Sequence, residues 1–342
     1  MTEFAFADTL KRVASGAVLF ADESAAAFSA IMRGEISQPR IAAFLTALAI
    51  RQPSVQEIAG AVQAMRQSMR KIRAPENAID VCGTGGDGLS TLNVSTAVAF
   101  VVAACGVPVA KHGNRSMSSQ TGAADVLEAL GLQAELEPTA AEDCLVETGF
   151  CFLFAPHYHT ATKHVAPVRR ELGFRTIFNL IGPLSNPAAV RRQLIGVFSR
   201  EWIEPVAAVL RELGTDAAWV VHSTDGMDEI SVAAPTHAAK LQGSGVTHEE
   251  ISPEQADLPR SPVSAIRGGD AAQNAQAIRE LLSGTRSAFR DIVVLNAAAA
   301  LVIAGKAPEL KHGAQFAAEA IDNGAAREVL ARAAAFSARH AP

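Results

Sequence analysis

Over residues 1–73 the apolar positions recur with a helical period only. One helix is predicted over about Phe4–Ala14 and a second over Glu23–Arg33, ended by Gly34. A third is predicted over Pro39–Arg51, and a fourth from Ser54 to before Pro75. Ser54-Val55-Gln56-Glu57 has the form of a capping box, hydroxyl first and carboxylate three residues on. Four short helices carrying this much Ala, Leu and Ile leave an apolar face over. That face suits either the rest of the same chain or a second copy of it.

From Ala78 the period changes. Strands are predicted at Ala78–Cys82, Pro108–Lys111, Phe150–Ala155, Gln193–Ser199 and Ala217–His222. Helices fall between them at Asn93–Cys105, Gly122–Leu130 and Glu201–Leu213, with a basic helix at Ala161–Leu172. Ile230–Glu250 reads as short antiparallel strands, and Asp270–Ala338 as mostly helix. Such alternation means an α/β fold with a mainly parallel central sheet flanked by helices, behind a small N-terminal helical domain. The expected division is a helical domain over 1–73 with 161–188 packing on it, and an α/β domain over 76–160 and 189–342. Ligands of such sheets bind beyond the carboxyl ends of the strands.

Composition narrows the function. A chain of 342 residues, 49% apolar and 19% charged, has ample core for two domains. Its net charge of −5 gives no general basic field for nucleic acid or an anionic membrane, so any polyanion site must be local. The apolar runs Ala97–Val107 and Ile292–Gly305 are too short to span a bilayer, and Met1–Asp8 lacks the pattern of a signal peptide. Cys82, Cys105, Cys144 and Cys151 form no C-x-x-C pair, so neither a zinc site nor a disulfide framework is expected, and a reducing cytoplasm is.

One local polyanion site stands out. The 37 residues from Gly88 to Ala124 contain no Asp or Glu. They follow the turn Cys82-Gly83-Thr84-Gly85-Gly86-Asp87 and include Lys111-His112-Gly113-Asn114-Arg115-Ser116-Met117-Ser118-Ser119. Glycines admit phosphate oxygens close to backbone N–H groups, and hydroxyls and cations add donors and charge. Gly83, Gly85 and Gly88 fit G-x-G-x-x-G, but a dinucleotide site needs an acid about twenty residues on, and none lies between Asp87 and Asp125. A plain tight turn is the alternative for the glycines, and a solvated basic loop for Lys111–Arg115. Asn93-Val94-Ser95-Thr96 opens the next helix, whose free N–H groups attract phosphate. His157, His159 and His164 have no acid near them before Glu171, which argues against a zinc centre.

Taken in order, these segments resemble the anthranilate phosphoribosyltransferase family of tryptophan biosynthesis. The matching blocks, in family order, are Gly83–Asp87, Asn93–Ala97, Lys111–Arg115, Ala124–Gly131, Val168–Gly173, Phe178–Pro187 and Asp225–Glu229. The resemblance implies a helical domain hinged to an α/β domain, a cytoplasmic homodimer joined through the helical domain, and no nucleic-acid or membrane partner. It implies Mg-dependent transfer of a phosphoribosyl group from phosphoribosyl pyrophosphate to the amine of anthranilate. Gly83, Gly86, Asp87, Thr91, Asn93, Val94, Ser95, Thr96, the run Lys111, His112, Gly113, Asn114, Arg115, Ser116, Met117, Ser118, Ser119, and Ala123 would hold the donor. Gly83, His112, Asn114, His159, Arg169 and Gly182 would face anthranilate. Ser95 would serve one Mg2+ ion, and Asp228 with Glu229 a second. No residue is expected to act as a dominant general base. An adjacent acid pair suits magnesium, and a guanidinium suits a carboxylate, although Arg170 competes with Arg169 for that role. Thr160, where the family often has proline, and Gln120, Thr121 and Ala123, in a loop commonly richer in serine, depart from the pattern. Two other readings share parts of it: a pyrimidine nucleoside phosphorylase, and a non-catalytic relative that binds nucleic acid.

Overall fold

The computed structural model describes residues 5–115 and 121–340. Four helices come first: α1 (Phe6–Ala14), α2 (Ala21–Met32), α3 (Gln38–Arg51) and α4 (Val55–Ser68). At the start of α4 the Ser54 Oγ accepts from the Glu57 N–H at 3.3 Å, and the Glu57 carboxylate accepts from the Ser54 N–H at 2.8 Å. The same carboxylate is fully buried, and it also accepts from the Leu19 N–H at 3.0 Å and from Arg51 Nη2 at 2.6 Å. One side chain thus ties the start of α2, the end of α3 and the start of α4.

The α/β part begins with β1 (Ile79–Gly83), α5 (Val94–Ala104), β2 (Val109–Gly113), α6 (Ala123–Ala129), α7 (Pro138–Thr148) and β3 (Phe150–Phe154). Three short helices follow: α8 (Ala155–Tyr158), α9 (Ala166–Leu172) and α10 (Ile177–Ile181). The chain returns through β4 (Arg192–Gly196), α11 (Ile203–Glu212), β5 (Ala217–Ser223), β6 (Thr236–Gln242) and β7 (Gly245–Ile251). It ends in α12 (Ala271–Leu282), α13 (Ala288–Ile303), α14 (Leu310–Asp322) and α15 (Ala325–Arg339). The seven strands lie in the order β3-β2-β1-β4-β5-β6-β7. Neighbours from β3 to β5 are parallel, and β5-β6 and β6-β7 are antiparallel. Strand order reverses at β1, whose neighbours are β2 on one side and β4 on the other. The carboxyl ends of β1 and β4 therefore open a crevice where such sheets take ligands.

One apolar core lies between the sheet and α5, α13 and α15. A second joins α1–α4 to α9, α10, α11 and the other sheet face through Phe28, Phe44, Phe178, Ile195 and Val220. The helical layer and the 161–188 segment thus share a core. Among the described residues no helix is long and apolar enough to cross a membrane.

Three local expectations are corrected, and one helix went unpredicted. The basic helix over Ala161–Leu172 is two pieces, a 3-10 turn at Thr160–His164 and then α9, because Pro167 lacks an N–H and starts a helix instead of continuing one. The helix expected at Glu201 begins with a 3-10 turn, Arg200–Trp202, before α11. The antiparallel strands start only at Thr236, since Ile230–Pro235 is held in a turn by side-chain bonds. Finally, α7 carries a mixed pattern that gave no prediction, although Pro138 at its start and Gly149 at its end are ordinary helix boundaries.

Candidate active site

The site is built on the paired ends of β1 and β4. Gly83 and Gly196 are register partners, and Asp228 lies across both. A Cβ on Gly83 would stand 2.4 Å from Asp228 Oδ2, and one on Gly196 would stand 1.5 Å from the Asp228 carbonyl oxygen. Two bare backbones are needed to bring this acid down onto the sheet. The Gly85 N–H donates to Asp228 Oδ2 at 2.8 Å. Gly85, Gly86 and Gly88 take φ of 66°, 77° and 80°, which glycine adopts without strain. On the far side, Asn296 in the middle of α13 clamps Ile230. Its Oδ1 accepts from the Ile230 N–H at 2.9 Å, and its Nδ2 donates to the Ile230 carbonyl at 2.8 Å. The Asp228-Glu229 pair is thereby fixed from both ends.

The electrostatics are crowded. Burial and the nearby Asp87 charge push the Asp228 carboxyl above its ordinary range. Burial and then the Asp228 charge push Glu229 up, against the pull of Lys111 and the Ser95 N–H. Lys111, on β2, is buried, and its Nζ donates to the Val81 carbonyl at 2.7 Å and the Ser95 hydroxyl at 3.1 Å. Glu229 thus meets two further acids and one ammonium, and that ammonium also acts on Asp80. Excess negative charge with a hydroxyl alongside is a donor set that fits a hard divalent cation. Among the described residues no three His, Cys, Asp or Glu side chains close around a metal by themselves. Magnesium characteristically uses one or two carboxylates, completed by phosphate and water.

The start of α5 lies beside this cluster. Asn93, its N-cap, makes no capping bond to its own helix, and its Oδ1 accepts from Asn274 Nδ2 at 2.8 Å. The side chain that would normally cover the first N–H groups is turned aside, which suits an anion there. Thr91 is held in an isolated bridge to Arg267, with Gly268 packed bare against the Thr91 carbonyl. Thr96 is fully buried inside α5. Asn114 and Arg115 are exposed at the end of β2. The Arg115 guanidinium pairs with Asp125 at 2.7 Å and with Glu128, and it lies over Phe154. Gly113 is bare against Phe152 and Ala123. Ser116, Met117, Ser118 and Ser119, named as donor contacts, and the variant Gln120 lie outside the described residues.

A second subsite adjoins the first through β2. His112 and His159 are buried with Nε2 atoms 3.2 Å apart, so one donates and the other accepts. Burial chiefly, and then the partner ring, hold His112 well below the ordinary imidazole range. Burial brings His159 down to about 4. The pair is therefore neutral near pH 7. Gly182 is hydrogen-bonded to His112 and caps α10. The two candidate arginines differ in exposure. Arg170 is exposed, while Arg169 is half-buried, lies over the Phe178 ring at 5.3 Å, and is shifted down by burial. The three histidines read together in the sequence diverge. His157 meets Arg70 at 3.0 Å, and His164 packs on Gly34.

Sequence reasoning missed Asp80, the buried acid of β1. It accepts from the His112 N–H at 3.1 Å and from Asn186 Nδ2 at 2.7 Å, so it fixes the strand carrying Lys111 to the Pro183–Pro187 segment. Burial pushes its carboxyl up to about 6. An acid inside an apolar strand was the available signal. Gly196 and Asn296 were also missed.

Two family descriptions match the chain: "Glycosyl transferase family, helical bundle domain" over residues 7–69, and "Glycosyl transferase family, a/b domain" over residues 75–327. A protein of Rhodopseudomonas palustris named anthranilate phosphoribosyltransferase is 51% identical over 97% of this chain and 98% of its own. The crystal structure of the Thermus thermophilus anthranilate phosphoribosyltransferase superposes with a TM-score of 0.92 at 42% identity, covering 97% of this chain and 99% of that one. The Saccharomyces cerevisiae enzyme, in complex with PRPP and Mg, superposes with a TM-score of 0.91 at 25% identity, covering 99% of both.

Proposed function

The chain belongs to the anthranilate phosphoribosyltransferase family of glycosyl transferases, and we propose that it joins phosphoribosyl pyrophosphate to the amine of anthranilate, releasing phosphoribosyl anthranilate and pyrophosphate. The observation that carries this reading is the crowding of Asp87, Asp228 and Glu229 against Lys111 and Ser95 on a glycine floor. A donor carrying two phosphate centres brings the oxygens such a cluster lacks. The glycine turn, the start of α5 and the end of β2 hold the donor, and His112, His159, Gly182 and Arg169 face anthranilate. Magnesium held by Asp228 and Glu229, with Ser95 serving a second ion, would neutralise charge on the leaving pyrophosphate.

The protein's own part is positioning and charge stabilisation. Lys111 Nζ, with two of its three protons committed, has one left for the leaving group. The neutral His112–His159 pair offers the aromatic substrate an uncharged wall. Arg169 takes its carboxylate in bidentate fashion. An aniline nitrogen is barely basic at neutral pH, so no side chain need deprotonate it before attack on the anomeric carbon. Closure of the helical layer on the sheet brings the two substrates together and excludes water. The enzyme works as a cytoplasmic homodimer, and the exposed Val18, Phe20 and Ile50 of the helical layer supply apolar surface for the contact.

Loss of anthranilate fluorescence tests the reaction. It should require both phosphoribosyl pyrophosphate and magnesium. No loss with all components present would overturn the reading. Release of thymine from thymidine and phosphate would move the chain to nucleoside phosphorolysis.

A further inference from the structure

The donor cradle is short of cations. Lys111 has two of its three protons on the Val81 carbonyl and the Ser95 hydroxyl, and Arg115 is turned to Asp125 and Glu128. Against them stand Asp87, Asp228 and Glu229. A third basic residue reaches the cradle from the other side. Arg175 lies between α9 and α10, in the segment that packs with the helical layer. Its Nη2 donates to the Gly86 carbonyl in the middle of the glycine turn. Its guanidinium carbon sits 4.5 Å from the centroid of the Phe198 ring, just past the end of β4. Both contacts therefore fall at the crevice between β1 and β4, where the cradle lies.

We propose that Arg175 is a donor-binding residue, whose guanidinium takes oxygens of the pyrophosphate group while it remains anchored on Gly86. A guanidinium carries five N–H donors in one plane. One goes to Gly86, and stacking on Phe198 fixes the plane, so the rest of the fork is presented without freezing a loose side chain. The side chain is exposed, so an incoming anion can reach it. The Gly86 bond does a second thing. The carbonyl and N–H of one trans peptide point in opposite directions. Holding the Gly86 carbonyl on Arg175 aims the Asp87 N–H away from it and fixes one donor of the glycine turn. A lysine could supply the charge but not the planar fork.

This assignment rests on reading the cradle as the phosphoribosyl pyrophosphate site, and the test separates the two. Wild type, Arg175→Ala and Arg175→Lys are assayed for the KM of each substrate and for inhibition by inorganic pyrophosphate with magnesium, with thermal melts alongside. In Arg175→Ala the donor KM and the pyrophosphate inhibition constant should both rise by about 10- to 100-fold, the worth of a charge-assisted hydrogen bond. The anthranilate KM should stay within about twofold, and Arg175→Lys should recover only part of the loss. An unchanged donor KM and pyrophosphate constant would overturn the assignment while leaving the cradle intact. An equal rise for both substrates would also overturn it, by making Arg175 a brace between the layers. If wild type itself neither uses the donor nor is inhibited by pyrophosphate, the cradle reading fails and takes this assignment with it.

Discussion

Glu57 in the helical layer and Asp228-Glu229 over the sheet are both acids drawn out of water, and their surroundings are opposite. Glu57 accepts from two backbone N–H groups and pairs with Arg51 at 2.6 Å, so its charge is matched locally. Asp228 and Glu229 face each other and Asp87, and one lysine is shared among them. A buried acid with its own counter-charge fastens helices together. Acids that crowd together around one shared ammonium leave a site that a cation can complete.

The largest expected effect breaks the second half of that contrast. Asp228→Asn combined with Glu229→Gln should cut magnesium-dependent turnover by about 10^3-fold or more, the scale of removing charge stabilisation from a transition state. The melting temperature should hold or rise, because like charges have been relieved of each other. Undiminished turnover at limiting magnesium would take the pair out of the site. The converse variant tests the first half. Glu57→Ala should lower unfolding free energy in urea by about 3–5 kcal/mol, since Arg51 and two N–H groups lose their partner. The kcat/KM of the protein that stays folded should be nearly unchanged. Lost turnover at full stability would mean the helical acid also serves the chemistry.

The two regions also differed in how plainly they could be read. The Ser54–Glu57 capping box was visible because its partners are three residues apart, and the bonds form as expected. The α/β alternation was visible for the same reason, since periods are local. What could not be read was contact across the chain. Gly196 is bare because Asp228, thirty-two positions on, lies over it. Asn296 looked only like a break in an apolar run, yet it clamps the turn that carries the acid pair. Asp80 reaches His112, 32 positions on, and Asn186, 106 positions on. The donor and acceptor residues themselves were named from family blocks, not from geometry. That Arg169 is less exposed than Arg170 could be seen only in the fold.

Arg169 gives the next prediction: it is half-buried, shifted down by burial, and lies over the Phe178 ring at 5.3 Å. Arg169→Ala should raise the anthranilate KM by about 10- to 100-fold, the value of a bidentate charged hydrogen bond. The donor KM should stay within about twofold. Equal rises for both substrates would mean that Arg169, like Glu57, holds helices together and reads no carboxylate.

The smallest effect concerns the neutral histidine pair, the point where burial acts on stability and on the site at once. His159 in the folded protein holds off its proton down to about pH 4, whereas the unfolded chain takes one up from about 6.5 downward. The unfolded state therefore binds more protons throughout that window. Stability contributed by the neutral ring is complete above it and is lost as pH falls from 6.5 toward 4, by roughly 3 kcal/mol in all. His159→Gln keeps a hydrogen-bonding partner for His112 and has no proton to gain. Subtracting its unfolding free energy from that of wild type should give a curve that falls steadily across the window. Asp80, pushed the other way, is present in both proteins and cancels in the difference. A flat difference curve would mean that the folded pair accepts a proton near pH 6.5. The proposed acceptor subsite would then carry a positive charge of its own, and selection of anthranilate would rest on charge instead of on an uncharged aromatic wall.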